Sequence, residues 1–236
     1  MGKLLRFVYD MVSGIGGTEP EVISFFAIAI IVTTIIFKIC LLPLNISQTK
    51  NQLKMAELQP EMQKLQKKYK NDAQTLAIKQ QQLYKEANYN PLSGCLPLLI
   101  QFPVIIAFYR VFRFPSEFAF TEPGLYESIS KNFFYLSNLD HPDKTMILPI
   151  IAAVSTFLLS WMTQKKQKEL SGNNPQADQA QGMMNSMTYF MPLMILWISR
   201  RLAAGLILYW IVSNLFSTVQ QLISNSLINK TEEEVL

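Results

Sequence analysis

Carboxylates are missing from the most apolar parts of this 236-residue chain. Five long apolar runs, Val22–Leu44, Leu92–Phe112, Met146–Met162, Met183–Ile198 and Leu202–Ile223, contain no Asp or Glu. A proton or cation relay through a bilayer needs such groups, so that class of membrane function is disfavoured. Histidine occurs once, as His141, and cysteine twice, as Cys40 and Cys95. A lone histidine in a polar stretch reads as solvated. Two cysteines without ligand spacing read as small buried hydrophobes, and no metal site follows from them. The chain also lacks a glycine-rich phosphate loop and a nucleophile set beside a base. No catalytic residue, cofactor site or metal ligand is therefore expected, and the chain does not read as an enzyme. Nor is a cleavable leader expected. Residues 1–20 carry Lys3 and Arg6 but no long apolar core and no small-residue cleavage site.

What is abundant is hydrophobicity, at 50% of residues against 16% charged. A helix crossing the hydrocarbon needs roughly 17–25 mostly apolar residues. The first, second and fifth runs meet this. The third and fourth, at roughly 16–17 residues, reach only about 25 Å of the roughly 30 Å required. The expected fold is an all-α integral membrane protein with five transmembrane helices, at about 22–44, 92–112, 146–162, 183–198 and 202–223. The net charge of +4 is distributed as for a membrane rather than for nucleic acid. Lys50, Lys54, Lys64, Lys67, Lys68, Lys70, Lys79 and Lys85 fall between the first two runs, and Lys165, Lys166 and Lys168 between the third and fourth. Basic loops stay in the cytoplasm. The N-terminus is then outside and the C-terminus cytoplasmic. Arg200 and Arg201 break the pattern, because this topology places them outside.

Three units are expected. Residues 1–21 form an outer interfacial amphipathic helix with a hinge at Gly14, Gly16 and Gly17. Residues 22–224 form the five-span core, and 225–236 a short tail. Within the core, 45–90 reads as a cytoplasmic helical hairpin. Leu58, Met62, Leu65 and Tyr69, then Ala73, Leu76, Leu83 and Ala87, follow a heptad-like seam, and Asn71-Asp72 supplies the turn. A helix break is expected near Gln59-Pro60, with Pro60 in the first turn of a new helix. Asn90-Pro91 opens the second span, which Pro97 and Pro103 bend. Phe114, Phe118, Phe120, Tyr126, Phe133, Phe134 and Tyr135 in the following loop suit headgroup depth.

One full charge stands inside the first run, at Lys38. Such a charge costs roughly 2.5–3.5 kcal/mol at the centre of a spanning helix. Snorkelling toward the inner surface meets part of that cost. Thr34, Lys38 and Asn45 share one helical face. Further polar residues lie in other spans: Gln101 in the second, Ser155, Thr156, Ser160 and Thr163 in the third. The fifth has Tyr209, Ser213, Ser217 and Gln220 at helical spacing, flanked by Asn214, Thr218 and Gln221. A single stripe would serve as helix–helix glue. Four spans bearing polar residues beside one charge point to a hydrated groove, because polar groups in lipid need partners. Lys38 is the groove charge in this reading. Thr34, Gln101, Ser155, Thr156, Tyr209, Trp210, Ser213, Asn214, Ser217 and Gln220 are the groove-lining candidates. For Tyr209 and Trp210, contact with a moving segment and aromatic packing between helices are both open. A cation in a lipid-accessible groove attracts something anionic that enters the membrane. A channel or small organic-anion transporter, and a scaffold held together by its polar residues, are the alternatives the residues leave open.

Two segments, "NPLSGCLPLLIQFPVIIAFYRVF" (Asn90–Phe112) and "AGLILYWIVSNLFSTVQQ" (Ala204–Gln221), closely resemble the YidC-type membrane protein insertases. "LQPEMQKLQKKY" and "QQLYKEANYNPLSGC" resemble that family's cytoplasmic hairpin and its junction with the next span. The resemblance covers roughly Val22 to Ile223 and is to a short bacterial form without a large outer domain. It implies a five-helix core in the bacterial plasma membrane, around a positively charged groove open to the cytoplasm and to lipid. It implies insertion of nascent membrane proteins, alone or beside the Sec translocon, with no nucleic acid partner. The family usually carries Arg at the groove charge, whereas "FKICLLPL" supplies Lys38, which keeps the charge and loses the planar fork. "ISRRLAAGL" places Arg200-Arg201-Leu202 where the family commonly has an aromatic and a proline. The tail is short and acidic, so a ribosome would not dock through a basic tail here.

Overall fold

The computed structural model describes residues 1–90, 96–171 and 178–235. The side chains of 49, 52, 53, 55, 56, 59, 96–102, 166–171, 178–185, 187 and 227–235 are excepted. The described residues are helical, with two isolated bridge pairs, Ile23 to Phe133 and Phe133 to Leu136, and no strand.

Helix α1 (Gly2–Ile15) is amphipathic. Leu5 and Val8 enter the core, and Phe7, Met11 and Ile15 stay exposed. Gly17, at φ 64°, turns the chain out of α1 in a conformation that glycine adopts without strain. Helix α2 (Phe25–Cys40) starts at an N-cap, Ser24, whose Oγ accepts from Ala27 N at 3.2 Å. The same Oγ donates to the Asn132 carbonyl at 2.8 Å and so ties the helix start to a distant loop.

Helix α3 (Leu42–Lys68) follows α2 after a bend of 53° at Leu41. This relocates the break expected at Gln59-Pro60. Pro43, in the first turn of α3, has no N–H to offer the preceding turn, so the chain breaks just before it. Pro60 lies inside α3. Its cost is one lost helical hydrogen bond, and good helix formers such as Lys54, Glu57, Glu61, Met62 and Lys64 flank it. Helix α4 (Ala73–Glu86) is capped by Asp72, which accepts from Thr75 N at 3.0 Å. Met62 is buried, and Leu58, Leu65, Tyr69, Leu76 and Leu83 are half-buried.

Helix α5 (Leu96–Arg113) returns to the end of the bundle where α2 began. Short helices α6 (Pro115–Phe118) and α7 (Leu125–Ser128) punctuate the loop there. Helix α8 (Ile147–Ser171) runs well past the run predicted from hydropathy, because the Gln, Lys and Glu residues after Met162 are good helix formers. Helices α9 (Asp178–Ser199) and α10 (Ala204–Val235) complete the chain. By length and composition Ile147–Lys165 and Ala204–Ser226 can each cross a bilayer, and α2 with the start of α3 makes a third crossing if the bent pair is one span. Thr188–Ser199 is apolar but shorter.

The core sits at the α2-start end. Phe26 meets the rings of Phe112, Phe120 and Tyr126 at centroid distances of 6.3, 6.0 and 5.9 Å. Of the loop aromatics expected at headgroup depth, Phe120 and Tyr126 are instead buried in this cluster, while Phe114, Phe118, Phe134 and Tyr135 are exposed. The amides of Ala204 and Gly205, at the start of α10, donate to the carbonyls of His141 and Leu139, both at 2.9 Å. Gly205 is needed where it stands, since a Cβ there would meet the Phe112 ring at 2.6 Å.

Candidate functional site

The polar residues of the spans gather along α10. Lys38 Nζ, in the last turn of α2, donates to Ser217 Oγ at 3.1 Å. About two turns further on, across the bend, Asn45 Nδ2 donates to Gln220 Oε1 at 3.2 Å. On the α8 side, Asn214 Nδ2 donates to Thr156 Oγ1 at 2.8 Å and Ser155 Oγ at 3.1 Å. Ser155 Oγ and Thr156 Oγ1 in turn donate to the Ala152 carbonyl. α10 is thus the shared rail of the site, with α2 and the start of α3 on one flank and α8 on the other.

Lys38 is half-buried, and its hydrogen-bond partner, Ser217, is a neutral hydroxyl. No ion pair to it exists among the described residues. A charge-assisted hydrogen bond to a hydroxyl satisfies one of three ammonium protons and leaves the charge itself uncompensated. Three buried polar atoms have no partner among the described residues: Thr33 Oγ1, Gln48 Nε2 and Gln164 Nε2. An unsatisfied buried amide costs about 1–3 kcal/mol. Gln48 on α3 and Gln164 on α8 were not singled out from the sequence, though the signal was present. Gln48 lies three residues beyond Asn45. Gln164 continues Thr156 and Ser160 at four-residue steps.

The other expected residues divide. Thr34 is fully buried and donates to the Ile30 carbonyl at 2.6 Å, a bond within its own helix. Ser213 is buried and Trp210 half-buried against the core. Tyr209 is 1% exposed and stacks on Phe108 of α5 at a centroid distance of 4.0 Å, so its ring lies in the packed interior. The Gln101 side chain lies outside what the structure describes, as does Cys95 as a whole. Cys40 corrects its expected burial: it is exposed, at the last residue of α2 beside the bend. His141 is exposed, as expected. Among the described residues no group of His, Cys, Asp and Glu could hold a metal ion.

The sequence matches the 60Kd inner membrane protein family over residues 19–232. It is 38% identical over 221 residues to the membrane protein insertase YidC of Fusobacterium nucleatum subsp. nucleatum, covering 94% of this chain and 96% of that one. It is 42% identical over 196 residues to the membrane protein insertase YidC of Clostridium perfringens, covering 83% of this chain and 76% of that one. Among solved structures it resembles an active YidC insertase crystallised with its first transmembrane domain resolved. The TM-score is 0.60 at 25% identity, over 94% of this chain and 44% of that chain.

Proposed function

The chain belongs to the 60Kd inner membrane protein family, and on that premise we propose that Lys38 and the seam along α10 receive the polar end of a client segment. The protein is a membrane protein insertase of the bacterial inner membrane, and its clients are nascent membrane proteins. The relatives' names speak for insertion rather than for solute transport. Helices α2, α5, α8, α9 and α10 are the five spans of this reading, and they enclose a groove centred on Lys38. The N-terminus is outside and the C-terminus cytoplasmic, which sets the Lys-rich α3–α4 pair in the cytoplasm. α1 lies at the outer interface.

The α3–α4 pair meets the nascent segment first. The client's polar tail, often acidic, then enters beside Lys38. At an effective dielectric near 20, opposite charges about 4 Å apart attract by roughly 4 kcal/mol. That matches the roughly 2.5–3.5 kcal/mol cost of an acidic residue at the membrane centre. The carboxylate displaces Ser217 from the ammonium, and the unpaired amides of Gln48 and Gln164 offer further hydrogen bonds. The apolar part of the client passes directly into lipid. The Sec translocon and the ribosome are further partners in this scheme, the ribosome not through a basic tail.

The observation that carries the reading is a half-buried ammonium with a hydroxyl partner and no ion pair among the described residues. The test is insertion of a single-span client with an acidic tail into proteoliposomes. Lys38→Ala should slow insertion about tenfold or more, as loss of roughly 1.4 kcal/mol or more of transition-state attraction requires. Lys38→Arg should retain the rate. Equal rates for all three proteins would refute the charge step.

A further inference from the structure

Arg201, left without a task by the scheme above, lines a second site at the opposite end of the bundle. A cleft of about 460 Å³ lies between the end of α5 and the start of α10. Its walls are Tyr109, Phe112, Leu202 and Leu206, and its rim carries Arg113, Arg201 and His141. We propose that this cleft binds the phosphate headgroup of an anionic phospholipid.

The charge is available. Among the described residues neither Arg113 nor Arg201 has an ion pair. Each guanidinium instead lies near an aromatic ring, Arg113 at 6.0 Å from Phe114 and Arg201 at 5.2 Å from Trp197. Rings so placed orient a guanidinium without neutralising it. The one carboxylate in the lining, Asp140, is already engaged: it accepts from the Tyr126 hydroxyl and pairs with Lys131 at 3.5 Å. Two guanidiniums match phosphate oxygens better than a point charge does, because each offers parallel N–H donors.

The shape favours a lipid over a soluble anion. The wall residue Tyr109 is 47% exposed on α5, and Ile106, one turn deeper, is 53% exposed. These side chains form an apolar approach along the exposed side of α5, which ends at Arg113. A molecule with acyl chains and an anionic head fits both parts at once. A free phosphate would use the rim and leave the walls unfilled.

The experiment is native mass spectrometry of the full chain released from nanodiscs of mixed phosphatidylglycerol and phosphatidylcholine. The intact protein should retain phosphatidylglycerol in preference to phosphatidylcholine. Arg201→Gln should lower that retention about fivefold, and Arg113→Gln with Arg201→Gln about 25-fold, from the known contribution of a basic residue near a membrane surface. The corresponding double lysine variant should fall between, keeping charge and losing the fork. Arg200→Gln should change nothing, because Arg200 does not line the cleft. Equal retention by the intact protein and the double glutamine variant would overturn the proposal, as would an equal loss from Arg200→Gln. Displacement of the lipid by millimolar inorganic phosphate would also overturn it and identify a free-anion site. Should the double variant fail to give a cooperative thermal transition, Arg201→Gln alone, in an exposed turn, decides the matter at the fivefold level.

Discussion

The two ends of the helix bundle are built on opposite principles. Where α2 begins, the chain closes on itself: Phe26, Phe108, Phe120, Leu139 and Tyr209 are all almost fully buried, and loop backbone bonds tie α2 and α10 to residues far away in sequence. Where α2 ends, the chain bends at Leu41 and the contacts turn polar. Lys38 has no ion pair among the described residues there, and two glutamine amides are unsatisfied. One end spends its residues on packing, and the other holds polar groups at a standing cost. Native proteins tolerate such a cost where a site has work to do. The contrast separates the residues that hold the fold from those proposed to receive clients.

The packed end should fail first under mutation. Phe26→Ala removes the ring that three other aromatics contact, and should cost about 3–5 kcal/mol in thermal unfolding of the detergent-solubilised protein. A loss below about 1 kcal/mol would mean that this end is not the stability centre.

A second cut at the same end is Asp143, 2% exposed. Its carboxylate accepts from Thr145 N at 2.8 Å, Thr145 Oγ1 at 2.6 Å, Leu148 N at 2.8 Å and the Tyr135 hydroxyl at 2.8 Å. Burial pushes this carboxyl up, but the bonds from Thr145, Leu148 and Tyr135 together outweigh it and hold it below the usual range. With the folded value depressed, the stabilisation is fully present above about pH 4 and is lost as pH falls toward the folded value. Asp143→Asn should cost about 2–3 kcal/mol at neutral pH and flatten the acid limb of the stability profile. An unchanged acid limb would remove Asp143 from the tight end.

The smallest stability effect belongs to the polar end and carries the sharpest contrast. Gln164→Leu removes an unsatisfied buried amide and should leave stability unchanged or raise it by up to about 1 kcal/mol. The same change should slow insertion of an acidic-tailed client. If it destabilises the protein as Phe26→Ala does, the two ends are not different in kind.

Much of the site was legible because charge and helical periodicity survive in a bare sequence. Lys38 stood out as an ion in an apolar run, and the structure sets Ser217 beside it and Asn214 beside Thr156. Tyr209 shows the limit of that reasoning. Angular spacing places it with Ser213 and Gln220, but it lies about 12 Å along the helix from Ser217, at the depth where α5 packs through Phe108. Periodicity reports the face of a helix and not the neighbour present at each level. Pro43 and Pro60 show a second limit. Both disrupt helical bonding, and only the surroundings decide that the chain breaks before the first and continues through the second.

The first amides of α10 are received by the carbonyls of Leu139 and His141. Chains are synthesised from the N-terminus, so those acceptors exist before their donors do. The tight end can therefore be sealed only when the last helix arrives. Until then the newborn molecule is itself an unfinished guest of the bilayer, in the same condition as the segments it will later escort.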